Sequence, residues 1–286
     1  MTGSRVSEGD FAIVPSIHAT KRADRRLKIA HLYPEAMDLY GDIGNVLTLV
    51  RRCEWRGIVA EVVEVRVGES VDLLDADIVV MGGGQDTAQS FVAADLVRRG
   101  PAIRSMIDAG AAALVVCGGF QLFGLSYTTA NGSELPGIGV FDARTVAGEE
   151  RFIGNAVIEA RLRRAGAPNA EAPIEVVGFE NHSGLTYLGP LARPLGRVVL
   201  GAGNLGDGTV EGAVSKNAIG TYLHGPLLPK NPKLADHLIV AGLTHRYGVA
   251  EPLESLDDLL EIGAHRVAVR RCDTGRVSRV RQSLAG

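Results

Sequence analysis

An apolar run that ends in a cysteine and two glycines constrains the fold of this chain most. Residues 111–116 are small or apolar, and Cys117-Gly118-Gly119 follows them directly. Such a run is typical of a buried strand, and the glycines allow the backbone to turn into a helix that begins near Gln121. The segment therefore predicts a cysteine on a strand-to-helix turn.

A cysteine in this position can act as a nucleophile. A free thiol is mostly protonated near pH 7, but a helix N-terminus and an adjacent base increase the thiolate population. The backbone N–H of Gly118 can also stabilise an oxyanion that forms when Cys117 attacks a carbonyl. The alternative is a packed, unreactive side chain, since free cysteines are among the most buried residues.

Composition narrows the class of protein. The chain has 286 residues, 46% of them hydrophobic, so it can bury the core of a globular protein. Its net charge of -3 gives no reason to expect nucleic acid or an anionic membrane as the main partner. Cys53, Cys117 and Cys272 form no paired motif, which favours a reducing compartment. Cys53 and Cys272 are interpreted as structural or incidental, since neither follows a glycine turn or has a histidine nearby in sequence. We expect a soluble, cytoplasmic protein without a signal peptide or membrane span.

Strand-like and helical segments alternate in the first half of the chain. We predict strands at 27–33, 62–67, 76–81 and 111–116, and helices at 44–56 and 87–109, the second with a break at Gly100-Pro101. This order is typical of an α/β fold with a mainly parallel sheet and flanking helices. Tyr33, Gly82-Gly83-Gly84 and Cys117 would then share the carboxyl edge of the sheet, where such folds bind ligands.

The second half is richer in β-like runs. Segments 151–162, 174–178, 197–201 and 213–223 predict an added antiparallel portion, followed by a helix at 231–247 with Asn231 as its N-cap. We divide the chain into an N-terminal extension (1–26), a main domain (27–247) and a C-terminal helix with an arginine-rich tail (248–286). The tail is either solvated or contacts an acidic partner or anionic lipid, through Arg266, Arg270, Arg271, Arg276, Arg279 and Arg281.

A nucleophilic cysteine needs a base, and His224 is the preferred candidate. It follows a strand-like run, and Gly225-Pro226 then stops that run. His182, in a polar loop, is the second candidate, whereas His237 and His245 lie on a predicted helix and are expected to pack or to face solvent.

The Gly82-Gly83-Gly84 loop can be interpreted as half of an oxyanion hole, as a phosphate-binding loop or as a simple turn. Its backbone N–H groups can form the second half of an oxyanion hole, or the loop can be a simple turn. A phosphate loop has weak support, because Thr87 occupies the last glycine position of the dinucleotide motif. The histidines and acids also lack metal-ligand spacing.

Together these motifs resemble a known family. The octapeptide from Cys117 to Gly124 and the segment 221–228 are similar to class I glutamine amidotransferases of the cobyric acid synthase type. Segments 81–89, 178–184 and 229–232 are similar to the glutaminase subunits of lipid II isoglutaminyl synthases, the GatD type. The resemblance covers residues 27–247 and implies a flavodoxin-like fold.

The resemblance also implies roles for individual residues. Cys117 would be the nucleophile and His224 the general base and acid in glutamine hydrolysis through a thioester. Substrate-binding roles would fall to Arg151, Gly84, Gly118 and Gln121, with Arg151 holding the α-carboxylate. No cofactor is expected in this chain. ATP and magnesium would belong to a Mur-ligase-like, MurT-type subunit of a heterodimer, which would use the ammonia to amidate D-glutamate in the lipid II stem peptide.

Two positions depart from the wider class. Val115 stands where many class I enzymes have glycine, and Pro226 stands where they have a glutamate that orients the histidine. The resemblance implies that the partner subunit supplies this acid. Three alternatives stay open: an intracellular cysteine hydrolase or peptidase of flavodoxin-like fold, a glutaminase subunit for another amidation such as cobyric acid synthesis, and a non-catalytic binding subunit.

Overall fold

The computed structural model describes residues 25–164, 167–249, 252–274 and 278–281. Most of the predicted N-terminal extension, residues 1–24, and Arg276 of the tail lie outside the described residues.

The first half of the chain alternates strands and helices as predicted. Its elements are β1 (Arg26–Leu32), α1 (Ile43–Glu54), β2 (Val59–Val65), β3 (Ile78–Met81), α2 (Asp86–Ala109), β4 (Ala112–Val116) and α3 (Gly118–Phe123). Strands β3 and β4 are buried along their whole length, which explains their unbroken apolar sequences.

The second half is mostly β-structure. It contains β5 (Ser126–Thr128), β6 (Glu134–Pro136), β7 (Ala143–Arg164), β8 (Ala167–Leu188), β9 (Gly196–Leu200), β10 (Val210–Glu211), β11 (Ala213–Ser215), β12 (Ala218–Thr221) and β13 (Leu223–His224). After a 3-10 turn at Leu228–Lys230 come α4 (Pro232–Tyr247), α5 (Leu259–Thr274) and β14 (Ser278–Arg281).

The main sheet has the order β2-β1-β3-β4-β12-β11, in which only β11 is antiparallel to its neighbour. The first five strands follow the flavodoxin-like order and confirm the predicted fold class. One part of the prediction was wrong, because β12 belongs to the parallel sheet and not to the antiparallel portion. Its four residues are buried, so an apolar strand fits between β4 and the edge strand.

The second sheet is built on the long antiparallel pair β7 and β8. Strand β9 and strand β5 flank β7, and β13 continues from the main sheet to pair with β8. The pairing of β7 with β8 is interrupted between Ala147 and Phe152. This irregularity includes Arg151.

Helix α2 differs from its prediction. It runs without a break through Gly100 and Pro101, because buried residues on both sides keep it against the core. Gly100 lets the helix approach Ile138, whose Cγ2 would lie 3.0 Å from a side chain added there. No helix in the described ranges is long and apolar enough to cross a membrane.

Candidate active site

Two neighbouring parallel strands bring Cys117 and His224 together. Strands β4 and β12 pair so that Val116 lies opposite Thr221, and the N–H of Cys117 donates to the carbonyl of Thr221 at 2.8 Å. Cys117 follows β4 by one residue, and His224 follows β12 by three. Both residues therefore lie at the carboxyl edge of the main sheet.

The backbone at Cys117 is strained. Its φ of 50° and ψ of -106° lie in a region that side chains other than glycine rarely occupy. The residue precedes α3, whose first two residues are glycines, and its side chain is largely buried with 7% exposure. Strain at one exposed edge of a rigid sheet is typical of functional residues, because the surrounding core must hold it.

An acidic side chain that the sequence did not single out contacts His224. Nδ1 of His224 lies 3.3 Å from Oδ1 and 3.2 Å from Oδ2 of Asp42, and both side chains are buried. Asp42 also accepts a hydrogen bond from the N–H of Gly83 at 2.8 Å. Asp42 of this chain therefore lies beside His224, in the place where the resemblance implied an acid from the partner subunit.

The position of Asp42 at the start of α1 explains why the sequence alone did not predict its contact with His224. An aspartate just before a helix is normally expected to cap it. Here Asp42 is at the N-cap position, but its side chain makes no capping bond, and Asp38 accepts from the N–H of Ile43 instead. Asp38 thereby leaves the carboxylate of Asp42 available to His224 and the loop after β3.

The surroundings of His224 favour its protonated form. Burial alone would lower the pKa of His224, but the hydrogen bond that it donates to Asp42 and the interactions with the Cys117 side chain outweigh it and raise the pKa to about 10. Nε2 of His224 is buried without a hydrogen-bond partner. An imidazolium held here can stabilise a thiolate on Cys117 and can later donate its proton.

The loop after β3 lies so close to Cys117 and His224 that Gly83 has no room for a side chain. A side chain on Gly83 would place its first carbon 2.8 Å from Cε1 of His224 and 3.3 Å from Cβ of Cys117. The structure also brings the predicted oxyanion donors together, since a carbon added to Gly118 would lie 2.9 Å from the backbone nitrogen of Gly84. Gly84 lines the adjoining cavity.

Arg151 lies at the same cavity and is held by polar neighbours. Its Nε donates to Oδ1 of Asn181 at 2.6 Å, and its Nη2 lies 3.4 Å from the hydroxyl of Tyr40. Asn181 donates to the same hydroxyl at 2.6 Å, while the Tyr40 ring packs edge-on against His224 with a centroid distance of 5.0 Å. Tyr40 and Asn181 were not predicted, because their roles depend on contacts between distant loops.

The cavity has a volume of about 260 Å³ and joins Cys117 to Arg151. Its walls come from the loops after β1 and β3, from α2 and α3, and from β7 and β8. The lining residues are Leu39, Gly84, Gln85, Asp86, Thr87, Gln89, Cys117, Gln121, Tyr127, Ala130, Ala147, Arg151, Asn181, His182, Ser183 and Gly184. Gln121, predicted as a substrate-binding residue, lies here as well.

The remaining histidines have other surroundings. His182 lines the cavity, but its Nδ1 bonds to the carbonyl of Gly184 and its ring stacks on Tyr222, 3.7 Å between centroids. His237 and His245 lie on α4, where His245 bonds to Asp77. Of the histidines within the described ranges, His224 is therefore the one placed against both an acid and the cysteine.

The other predicted features lie away from this site. Cys53 is buried, and burial raises the pKa of its thiol to about 12. Cys272 lies on α5, is buried against Val157 and Val177, and donates to the carbonyl of Ala268. Arg266, Arg270 and Arg271 lie on α5, and β14 includes Arg279 and Arg281. Among the residues that the structure describes, no group of three or more histidines, cysteines and acids is suited to a metal ion.

Comparisons with known proteins agree with this geometry. Residues 28–232 match the model of the CobB/CobQ-like glutamine amidotransferase domain. The chain is 36% identical to the GatD subunit of the glutamine-hydrolysing lipid II isoglutaminyl synthase of Staphylococcus aureus strain N315, over 88% of this chain and 99% of that protein. It is 38% identical to the corresponding subunit of Streptococcus pneumoniae strain ATCC BAA-255 / R6, over 82% of this chain and 87% of that protein.

A more distant relative has a different name. The cobyric acid synthase of Pelotomaculum thermopropionicum is 32% identical over 61% of this chain, a region that spans 34% of that protein. The family model covers well over half of the chain and includes both Cys117 and His224. The chain therefore belongs to the CobB/CobQ-like glutamine amidotransferase family.

Proposed function

We propose that this chain is the glutaminase subunit of a lipid II isoglutaminyl synthase. One observation carries the proposal: a single cavity joins Cys117, which lies beside the buried pair of His224 and Asp42, to Arg151. Glutamine has a carboxamide for the thiol and an α-carboxylate for the guanidinium. A fixed guanidinium can bind a carboxylate and thereby place the carboxamide carbon against the sulfur.

The reaction would proceed through a thioester. The Cys117 thiolate attacks the carboxamide carbon, and the N–H groups of Gly84 and Gly118 stabilise the resulting oxyanion. His224 donates its proton to the leaving nitrogen, ammonia departs, and the thioester of glutamate remains. The neutral imidazole then takes a proton from water, and the hydroxide equivalent cleaves the thioester to release glutamate and restore the thiolate.

Asp42 would hold His224 in position throughout these steps. It contacts Nδ1, which leaves Nε2 for the proton transfers at the reacting atoms. A buried carboxylate in this place stabilises the imidazolium and sets the ring orientation. We infer that this chain contributes its own orienting acid, and that a partner is needed chiefly to use the ammonia.

The substrate that receives the ammonia is inferred from the two GatD relatives. Both closely similar proteins are subunits of lipid II isoglutaminyl synthases, so we propose a Mur-ligase-like partner in a heterodimer, with ATP and magnesium bound by that partner. The partner would amidate the α-carboxyl of D-glutamate in the lipid II stem peptide. Ammonia released into water is protonated, which favours direct transfer between the two subunits.

The test is to express the chain with and without the Mur-ligase-like partner and to measure glutamate release and lipid II amidation. We expect the complex to hydrolyse L-glutamine and to amidate lipid II when ATP is present. Cys117→Ala should abolish both activities with glutamine, while amidation from added ammonia should persist. Arg151→Ala should raise KM for glutamine by about tenfold or more.

A matched control is Arg161→Ala, which alters an exposed arginine on the same strand. This variant should hydrolyse glutamine normally. Full glutaminase activity in Cys117→Ala would refute the proposal. Peptide cleavage that is insensitive to Arg151→Ala would favour the peptidase alternative, and amidation of a corrin acid instead of lipid II would favour the cobyric acid alternative.

A further inference from the structure

Two buried side chains of the cavity carry acceptor atoms without a hydrogen-bond partner. They are Nε2 of His182 and Oε1 of Gln89, and each residue is 2% exposed. Both residues line the cavity that contains Cys117 and Arg151. Because buried polar atoms nearly always have partners, two acceptors of this kind in one ligand cavity indicate that the ligand brings the donors.

The orientation of the Gln89 amide is determined by its neighbours. Its Nε2 donates to the carbonyl of Gly84 at 3.1 Å and to Oε1 of Gln121 at 3.0 Å, so both amide hydrogens are used. Gln121 in turn donates to the hydroxyl of Tyr222 at 3.3 Å. A reversed amide would place the oxygen of Gln89 against two acceptors, and Oε1 therefore stays a pure acceptor.

The tautomer of His182 is determined in the same way. Nδ1 lies 3.0 Å from the carbonyl of Gly184, which requires a hydrogen on Nδ1 and leaves a lone pair on Nε2. Burial, together with the positive charges of His224 and Arg151, lowers the pKa of His182 to about 3 despite the bond to Gly184. The ring is thus neutral near pH 7, and with its hydrogen on Nδ1, Nε2 can accept but cannot donate.

We propose that Nε2 of His182 and Oε1 of Gln89 bind the α-ammonium group of the glutamine substrate. This inference rests on the proposed function. Arg151 takes the α-carboxylate and Cys117 the carboxamide, so the α-ammonium is the polar group of glutamine that still needs partners. An ammonium has three N–H donors and no acceptor, and it matches two atoms that can only accept.

This pair would determine specificity. An amide that lacks the α-ammonium leaves both acceptors buried and unpaired, and sites built to bind a donor reject such analogues strongly. A site with Arg151 alone would bind any carboxamide that has a suitably placed carboxylate. His182 and Gln89 would restrict binding to carboxamides that also carry the α-ammonium. His182 and Gln89 are binding residues in this scheme and take no part in the proton transfers.

The test compares L-glutamine with 4-carbamoylbutanoate, which has the same carboxylate and carboxamide but no α-ammonium. In the assembled synthase, His182→Asn keeps a donor for Gly184 and removes the acceptor at Nε2. It should raise KM for glutamine by about tenfold or more, with kcat changed by less than about threefold. The inhibition constant of 4-carbamoylbutanoate as a competitor should not rise, because this analogue has no ammonium to lose a partner.

Two further variants complete the design. His182→Gln, which places an amide near the position of Nε2, should recover much of the affinity for glutamine. His237→Asn, a change at a histidine on α4 away from the cavity, should leave both constants unchanged, and thermal unfolding should show that every variant is folded.

The outcomes separate the two proposals. Equal weakening of glutamine and 4-carbamoylbutanoate by His182→Asn would overturn the ammonium contact, because the acceptor would then serve the carboxamide or the departing ammonia. An unchanged KM for glutamine would overturn it as well. Loss of the proposed function itself would appear differently, as a wild-type synthase that does not hydrolyse glutamine.

Discussion

At the scale of single residues, the site depends on how Asp42 is used. Its carboxylate contacts His224 and the N–H of Gly83, although its position in the chain is that of a helix cap. The capping bond comes from Asp38 instead. Asp42 thus occupies the N-cap position without capping the helix, and Asp38 provides the capping hydrogen bond in its place.

The first prediction concerns Asp42→Asn. Asp42 raises the pKa of His224, so its neutralisation should lower that pKa from about 10 toward the ordinary value of 6.5. Because the thiolate needs the imidazolium, the alkaline decline of kcat/KM for glutamine should move to lower pH, with a loss of about 10²-fold or more in rate. The measurement is a pH profile of glutaminase activity.

Asp38→Asn is the matched control, since an amide oxygen can still accept from the N–H of Ile43. Its profile should follow that of the unmodified protein. If Asp42→Asn left the alkaline limb in place, an acid from another chain would have to orient His224.

At the scale of elements, a buried acid ties β10 to the strand that leads to His224. Oε1 of Glu211 accepts from the hydroxyl of Thr221 at 2.9 Å and from the N–H of Tyr222 at 2.6 Å, while Oε2 is buried without a partner. Burial raises the pKa of Glu211 to about 8, against the hydrogen bonds that lower it. The carboxyl is therefore mostly protonated at neutral pH.

The second prediction concerns Glu211→Gln. The folded chain keeps a proton on Glu211 that the unfolded chain releases above about pH 4.5. This group's contribution to the free energy of unfolding is thus full below pH 4.5 and is lost as pH rises to about 8, by at most about 1.4 kcal/mol per pH unit. Glu211→Gln should flatten this slope in urea titrations between pH 5 and 9.

An exposed acid provides the comparison. Glu61→Gln on β2 should keep the slope of the unmodified protein. Identical slopes for Glu211→Gln and Glu61→Gln would show that Glu211 is ionised in the folded chain. Glu180 is another buried acid with a raised pKa, and its contribution to the pH dependence of the free energy of unfolding would be the same in both variants.

At the scale of the whole molecule, one arginine joins three segments. Arg52 on α1 is buried and donates to Asp236 on α4 and to Asp258, which directly precedes α5. Arg56 adds a second bond to Asp236 at 2.8 Å. This network attaches the C-terminal segment to the helix whose N-terminal end contacts the active site.

The third prediction compares adjacent arginines. Arg52→Leu removes the buried partner of Asp258 and one of the two arginine partners of Asp236, and it should lower the free energy of unfolding by about 3–5 kcal/mol. Arg51→Leu removes only an exposed pair with Glu54 and should change it by less than about 1 kcal/mol. Urea unfolding measures both values. If both variants lowered the free energy of unfolding by less than about 1 kcal/mol, the Arg52 network would not hold the C-terminal segment in place.

The sequence alone determined the features that depend on local pattern. Buried strands and amphipathic helices have characteristic periods, so the α/β order, the parallel sheet and the turn at Cys117 were predictable. Motifs around Cys117 and His224 were sufficient to indicate the family. The element boundaries were less accurate, and the continuity of α2 through Pro101 depended on packing against Ile138.

Only the tertiary structure decided which polar groups meet. The contact between Asp42 and His224 joins residues 182 positions apart, and that between Tyr40 and Asn181 joins residues 141 apart. No local period encodes such pairs, because they arise where loops from different strands meet at one edge of the sheet. The sequence indicated Cys117 and the strand-to-helix turn that carries it, whereas the fold decided which acid lies beside His224 and which acceptor atoms line the cavity.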